Sequence, residues 1–203
     1  MEVLQIHELN PQKRLIEKAC EVLQCGGVIL YPTDTVYALG CDIRKKNAIE
    51  KIYRIKKIDR KKPLSIILPD ISAISEYVKF VSNDAFRIMK KAYPGPYTFI
   101  FPASKLVPGL LMTNQKTIGV RIPDNKIALE LVKTLGSPIL STSVNTPEGD
   151  YVIDPDDMGK ELGNQIDLII DVGIKVSNPS TVVDFSGGNV DIIRKGKGEL
   201  FFL

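Results

Sequence analysis

Residues 26–41, GGVILYPTDTVYALGC, decide how this chain is read. Two glycines stop a preceding helix, and a short apolar run follows. A hydroxyl-rich turn, Pro32-Thr33-Asp34-Thr35, then interrupts that run before the apolar pattern resumes. Residues 28–31 and 36–39 read as buried strands, so the turn sits on a stiff base and offers side-chain oxygens and backbone N–H groups. The same composition suits a hairpin corner whose Thr and Asp satisfy only neighbouring backbone. The turn alone leaves both readings open, and residues elsewhere have to decide between them.

The totals narrow the choice. The 203 residues, 44% hydrophobic and 25% charged, suit one domain over 1–203 with a real core. No apolar run approaches ~18 residues, and the first ten residues lack a basic region followed by a long apolar one. Neither a membrane span nor a secretory signal is expected, and the cytoplasm is the expected compartment. Three cysteines (Cys20, Cys25, Cys41) and one histidine (His7) make a poor metal set, and no metal-ligating residues are assigned. A Ser-His-Asp or Cys-His arrangement would have to use His7, which precedes the first helix and reads as a surface residue. The net charge is only +3, yet ten Lys/Arg fall between Arg44 and Lys62 against Glu50 and Asp59. Such a run is either a solvated helix face or a footprint for phosphate, in a nucleotide or a nucleic acid.

Along the chain, Asn10-Pro11 reads as a helix start, and Leu15, Ile16, Ala19, Val22 and Leu23 recur at helical spacing. Asn47 and Glu50 suggest a capping box for a second helix, on which Ile49, Ile52 and Tyr53 form the inward stripe. Lys56 lies four residues beyond Ile52 on that stripe, so it points along the protein or snorkels from the helix end. Residues 64–68, 97–102, 117–123, 138–140, 168–171, 180–185 and 190–194 read as strands, the last two joined as a hairpin by Gly187-Gly188-Asn189. Residues 72–77, 83–92 and 125–135 read as helices, the last capped by Asp124, and Asp154-Pro155 opens another. Residues 195–198 read as a flexible basic tail. Strands and helices interleave without a strict βαβ rhythm, so the expected fold is α/β: a single-domain, twisted, open mixed sheet with flanking helices.

There is no GxxxxGK[ST] and no GxGxxG to carry a nucleotide argument. Four separated stretches instead offer groups suited to phosphate or carboxylate. They are the Thr33/Asp34/Thr35 turn, the segment 56–62, Thr117 with Arg121, and Ser141/Ser143/Asn145. Arg121 alternates with Val120 and Ile122, so a buried guanidinium here needs a structural carboxylate or a ligand anion. Ser141 and Ser143 share one face of an extended segment, as a hydroxyl platform or as caps of the following turn.

In this order, GGVILYPTDTVYALGC, KPLSIIL, PGPYTFIF, TIGVRIP, LSTSVN, PSTVVDF and IIRKGKG resemble the YrdC/YciO family, which includes the threonylcarbamoyl-AMP synthases of TsaC type. The core of the match runs over about 12–198. The resemblance implies a YrdC-like sheet around a basic concave cavity. It further implies that ATP (as substrate, with Mg2+ carried on it), L-threonine and bicarbonate react there. The products are threonylcarbamoyl-AMP and pyrophosphate, and a transfer complex passes the group on to adenosine 37 of tRNA. By the same resemblance, Thr33, Arg121 and Ser141 contact threonine. Lys56, Arg60, Thr117, Ser143, Asn145 and Arg194 contact the nucleotide, and Lys56 and Arg121 carry the catalytic charge. One position departs: the family's KxR motif reads Lys56-Lys57-Ile58 here, which places the chain nearer the YciO branch. Binding of double-stranded RNA or tRNA by the basic run, with weak or no synthase activity, is the alternative.

Overall fold

The computed structural model of the chain describes residues 1–59, 62–112, 114–144, 154–175, 178–187 and 190–202. Among these residues, ten strands form one mixed sheet: β1 (Glu2–Gln5), β2 (Ile29–Tyr31), β3 (Ala38–Asp42), β4 (Ser65–Ile67), β5 (Tyr97–Pro102), β6 (Thr117–Arg121), β7 (Ile139–Ser143), β8 (Leu168–Asp171), β9 (Thr181–Asp184) and β10 (Asp191–Arg194). Their spatial order is β1-β8-β2-β3-β7-β4-β6-β5-β9-β10. Among the described residues, six α-helices flank the sheet: α1 (Lys13–Gln24), α2 (Lys46–Lys56), α3 (Ile74–Tyr77), α4 (Asn83–Ala92), α5 (Lys126–Leu135) and α6 (Pro155–Leu162). The fold is the α/β architecture expected from the sequence.

Side chains alternate across the sheet, and its two faces are covered differently. One face carries Leu39, Ile66, Val120, Leu140, Phe99 and Val183, and packs under α2, α3 and α4 in a continuous core. On the other face, α1 and α5 cover Ile29, Tyr31, Ile67, Ile139, Leu168 and Ile170. That cover stops part-way across. Along β7 the same face runs from Ile139 under helix to buried Ser141 and half-buried Ser143, which line the cavity, and along β4 from Ile67 to Ser65. The uncovered remainder of this face sets Ser65, Thr98, Arg121, Ser141 and Ser143 among apolar residues such as Ile100 and Val182, and holds the cavity.

Several local expectations shift for identifiable reasons. α1 starts at Lys13 rather than Pro11, because the Asn10 N–H bonds the carbonyl and Nδ1 of His7 and closes a turn first. α2 starts at Lys46 with Lys45 as its N-cap and no side-chain cap bond, so Asn47 lies inside the helix and forms no capping box. α5 is capped by Asn125, whose side chain accepts from the Ala128 N–H, and not by Asp124. β1 went unread: four residues with a single buried side chain carry no alternation, and the strand exists because it pairs in parallel with β8. The segment 195–198 is not a loose tail. Lys197 N–H bonds the Pro179 carbonyl at 2.8 Å, and the Thr181 hydroxyl donates to the Gly198 carbonyl at 2.6 Å.

Candidate functional site

The turn that opens the sequence reading satisfies much of its own polarity. Thr33 is fully buried; its Oγ1 donates to the Val36 carbonyl at 2.7 Å and accepts from the Thr35 N–H at 3.1 Å. It is not among the residues lining the cavity, which meets this turn at Thr35 and Val36. Asp34 points instead to Arg121, whose Nη2 donates to Asp34 Oδ1 at 2.8 Å and to Thr35 Oγ1 at 3.1 Å. Both partners are buried, with side chains 8% and 7% exposed. The guanidinium fork is half used. Arg121 Nε and Asp34 Oδ2 are buried with no hydrogen-bond partner, an expensive arrangement for a free donor and a free acceptor.

Arg121 belongs to the wall of a cavity of about 530 Å3, a size usual for small-molecule sites. Its floor is flat where Gly119 leaves a gap: a Cβ there would stand 3.1 Å from Thr98 Cγ2 and 3.2 Å from Ser65 Cβ. The cavity gathers Lys56, Arg121, Ser141, Ser143 and Arg194 from distant parts of the chain. Thr117 is buried and lines an adjoining hollow with Asn114, Gln115 and Asp184. Arg60 and Asn145 lie outside the described residues.

The electrostatics are one-sided. Among the described residues the lining holds four cations, Lys56, Lys62, Arg121 and Arg194, and no carboxylate. Burial, and then the nearby Lys62 charge, push the Lys56 pKa below the usual lysine range. A half-buried lysine with a second, exposed lysine beside it favours an anionic ligand that would offset both charges. Arg194 is anchored by Nε to the Ser180 carbonyl at 3.0 Å and by Nη2 to Ser180 Oγ at 3.2 Å. Among the described residues no three of His, Cys, Asp and Glu come together to hold a metal ion.

Ile58 reaches the cavity because the chain leaves α2 through Lys57 in the left-handed region, φ 49°. The Ile58 N–H returns to the Tyr53 carbonyl at 3.4 Å. The wall beside Lys56 is therefore apolar at this point. Elsewhere the basic run is partly spent: Arg44 is bound to buried Asp42 at 2.7 Å and Lys51 to Asp167 at 2.7 Å. The nucleic-acid footprint read from the sequence loses those two cations.

Several lining residues escaped the sequence reading. Ser65 and Thr98 are single polar residues within apolar strands, Ser180 directly precedes β9, and each faces the open half of the sheet. Their shared signal was strand parity, and it becomes readable only once the limit of α1 and α5 is known.

Fold and site define an α/β protein with a cavity on the uncovered half of its sheet that, among the described residues, is lined by cations and no carboxylate. The Sua5/YciO/YrdC family model, described as telomere recombination, matches residues 21–196. The chain is 45% identical to YciO of Escherichia coli strain K12 over 197 residues, which is 96% of this chain and 95% of that one. The crystal structure of E. coli YciO superimposes with a TM-score of 0.94, covering 99% of this chain and 98% of the other. The putative threonylcarbamoyl-AMP synthase of Methanocaldococcus jannaschii is 32% identical over 96% of this chain and 92% of its own. Sua5 of P. abyssi, in complex with L-threonine, gives a TM-score of 0.90 at 26% identity, over 97% of this chain and 58% of that longer one. The chain belongs to the Sua5/YciO/YrdC family.

Proposed function

We propose that the cavity joins L-threonine, bicarbonate and ATP to give threonylcarbamoyl-AMP and pyrophosphate, supplying the group for threonylcarbamoylation of tRNA at adenosine 37. The threonine amine attacks bicarbonate, releasing water and leaving a carbamate. A carbamate oxygen then attacks the α-phosphorus of ATP, and pyrophosphate departs with the electrons of the broken P–O bond. No side-chain nucleophile is required. Catalysis by positioning and charge neutralisation suits a site built of Lys, Arg, Ser and Thr. In this reading Arg121 receives the threonine carboxylate, and Ser141 lies beside it. Lys56, Lys62 and Arg194 face the triphosphate with Ser143, and Mg2+ travels on the nucleotide.

The observation that carries the reading is the half-used Arg121, a buried guanidinium in the cavity wall whose Nε has no acceptor. A ligand carboxylate is the group whose geometry completes such a fork. The relatives add support of a coarser kind: one is a putative threonylcarbamoyl-AMP synthase, and another is a Sua5 complexed with L-threonine.

The test is pyrophosphate release by purified protein given ATP, L-threonine and bicarbonate. Release that requires all three supports the reading, and release indifferent to threonine refutes it. Ile58→Arg, assayed alongside, places a guanidinium next to Lys56 and is expected to raise the rate. Restoring one charge-assisted phosphate contact corresponds to about 2 kcal/mol, or roughly thirtyfold.

A further inference from the structure

Tyr31 ends β2, under the helix-covered part of the sheet, and is fully buried. Its hydroxyl bonds no group on its own strand or on β3 next door. It crosses β3 completely and donates to Ser141 Oγ on β7 at 2.7 Å. The crossing passes over Gly40, which pairs with Ser141 in the ladder. A Cβ on Gly40 would stand 2.7 Å from Tyr31 Cε1 and 2.9 Å from Ile139 Cγ2, so the ring lies where only glycine leaves room. Burial raises the Tyr31 pKa to about 12, and the phenol stays a donor throughout the physiological range.

A serine hydroxyl has one proton. With Tyr31 donating to Oγ from the helix-covered side, that proton turns away from Tyr31. Ser65 occupies only the Ser141 carbonyl, at 3.0 Å. The open side of Ser141 is the cavity, on the same face as Arg121 and two strands from it.

We infer that Tyr31 is a positioning residue of this site: by donating to Ser141 Oγ across Gly40, it directs the Ser141 proton into the cavity and makes Ser141 an obligate donor to a ligand carboxylate beside Arg121. Its identification of that carboxylate as threonine's rests on the function proposed above. The tyrosine thereby selects polarity: an acceptor oxygen is welcomed at Ser141, and a donor such as an amide N–H meets a hydroxyl already turned the wrong way.

The test is a double-mutant cycle on ligand affinity, read by titration calorimetry of the full chain with ATP present. The proteins are the wild type, Tyr31→Phe, Ser141→Ala and the double variant. The probes are L-threonine, L-serine, acetate and L-threoninamide. Ser141→Ala is expected to weaken threonine binding about tenfold, the value of one hydrogen bond to a charged group. Tyr31→Phe should reproduce most of that loss, and the double variant should be no weaker than Ser141→Ala alone. Threoninamide, which offers Ser141 only a neutral carbonyl oxygen in place of the carboxylate, should lose less than threonine on either change. Losses that multiply, or a Tyr31→Phe protein with wild-type threonine affinity, overturn the inference and leave the threonine reading standing. Binding of serine or acetate with the same coupled losses, while threonine does not bind, removes threonine as the substrate and keeps the Tyr31–Ser141 device. Failure of all three carboxylates to bind the wild type overturns both. Gly40→Ala is the second variant, should Tyr31→Phe fold poorly. It displaces the ring while keeping the phenol, and is expected to cost threonine affinity only when Ser141 is present.

Discussion

Arg121 is held by a carboxylate 87 residues earlier in the chain, and the pairing leaves a donor and an acceptor unused. Removing one member of a buried pair strands the other charge, at a typical cost of about 3–5 kcal/mol. Asp34→Ala should therefore lower stability by about 3 kcal/mol in denaturant unfolding. Acetate should raise the melting temperature of that variant more than that of the wild type, because it takes the vacated place; equal shifts would disprove the reading. Lys56 gives a prediction in pH. Burial and the Lys62 charge lower its pKa in the free protein, and a bound triphosphate would raise it again. Nucleotide binding then takes up protons in the alkaline range, and affinity for ATP falls as pH rises through the lowered Lys56 pKa. Calorimetry in buffers of different ionisation enthalpy measures that uptake. The need of Arg121 for a partner was legible in the sequence, since a guanidinium between Val120 and Ile122 announces it. The identity of the partner was not, because no local spacing relates positions 34 and 121. Thr33 marks the opposite limit. Its hydroxyl is a plausible ligand contact by composition, yet it closes the turn on the Val36 carbonyl.

At the scale of elements, helices and strands with strong periodicity or a cap were readable. β5 and β8 fall where the pattern puts them, and Gly136 ends α5 in the left-handed region at φ 67°. Elements stabilised by distant partners were not. β1 draws its hydrogen bonds from β8, and residues 195–198 are held by β9 and the residues preceding it. That closing segment looked flexible because Gly and Lys alternate in it. Its glycines serve close packing instead: a Cβ on Gly196 would lie 2.2 Å from the Pro179 carbonyl oxygen, and one on Gly198 2.4 Å from Tyr97 Cε1. Lys197 Nζ then donates to the Asp34 carbonyl at 2.7 Å, tying the segment to the turn that holds Arg121. Gly198→Ala should release it, seen as faster tryptic cleavage after Lys195 and Lys197; unchanged cleavage rates would contradict the packing. In β6, Gly119→Val should fill the floor between Ser65 and Thr98. Ligand binding should be lost, with a loss of unfolding free energy of about 1–3 kcal/mol.

For the whole molecule, the decisive property is that two helices cover only part of one sheet face. The sequence announces an α/β chain with a mixed sheet, but not where α1 and α5 stop, and the cavity is the remainder. A ligand seated there binds the folded state alone and stabilises it by mass action. At a hundredfold excess over Kd that is about 2.7 kcal/mol, or roughly 5–10 °C for a chain of this size. L-threonine with ATP should give a shift of that order, and Arg121→Met should abolish the threonine part of it. The strand order has one more consequence, for synthesis on the ribosome. Glu2 pairs with Leu168, and Ile29 pairs with the same residue from the other side. β1 and one edge of β2 must stay unpaired until β8 emerges, seconds later at ordinary elongation rates of ~5–20 residues per second, although β2 can pair with β3 at once. During that wait the apolar residues of β2 and β3 lack most of their sheet. The sheet can therefore be completed around β8 only after most of the chain has been made.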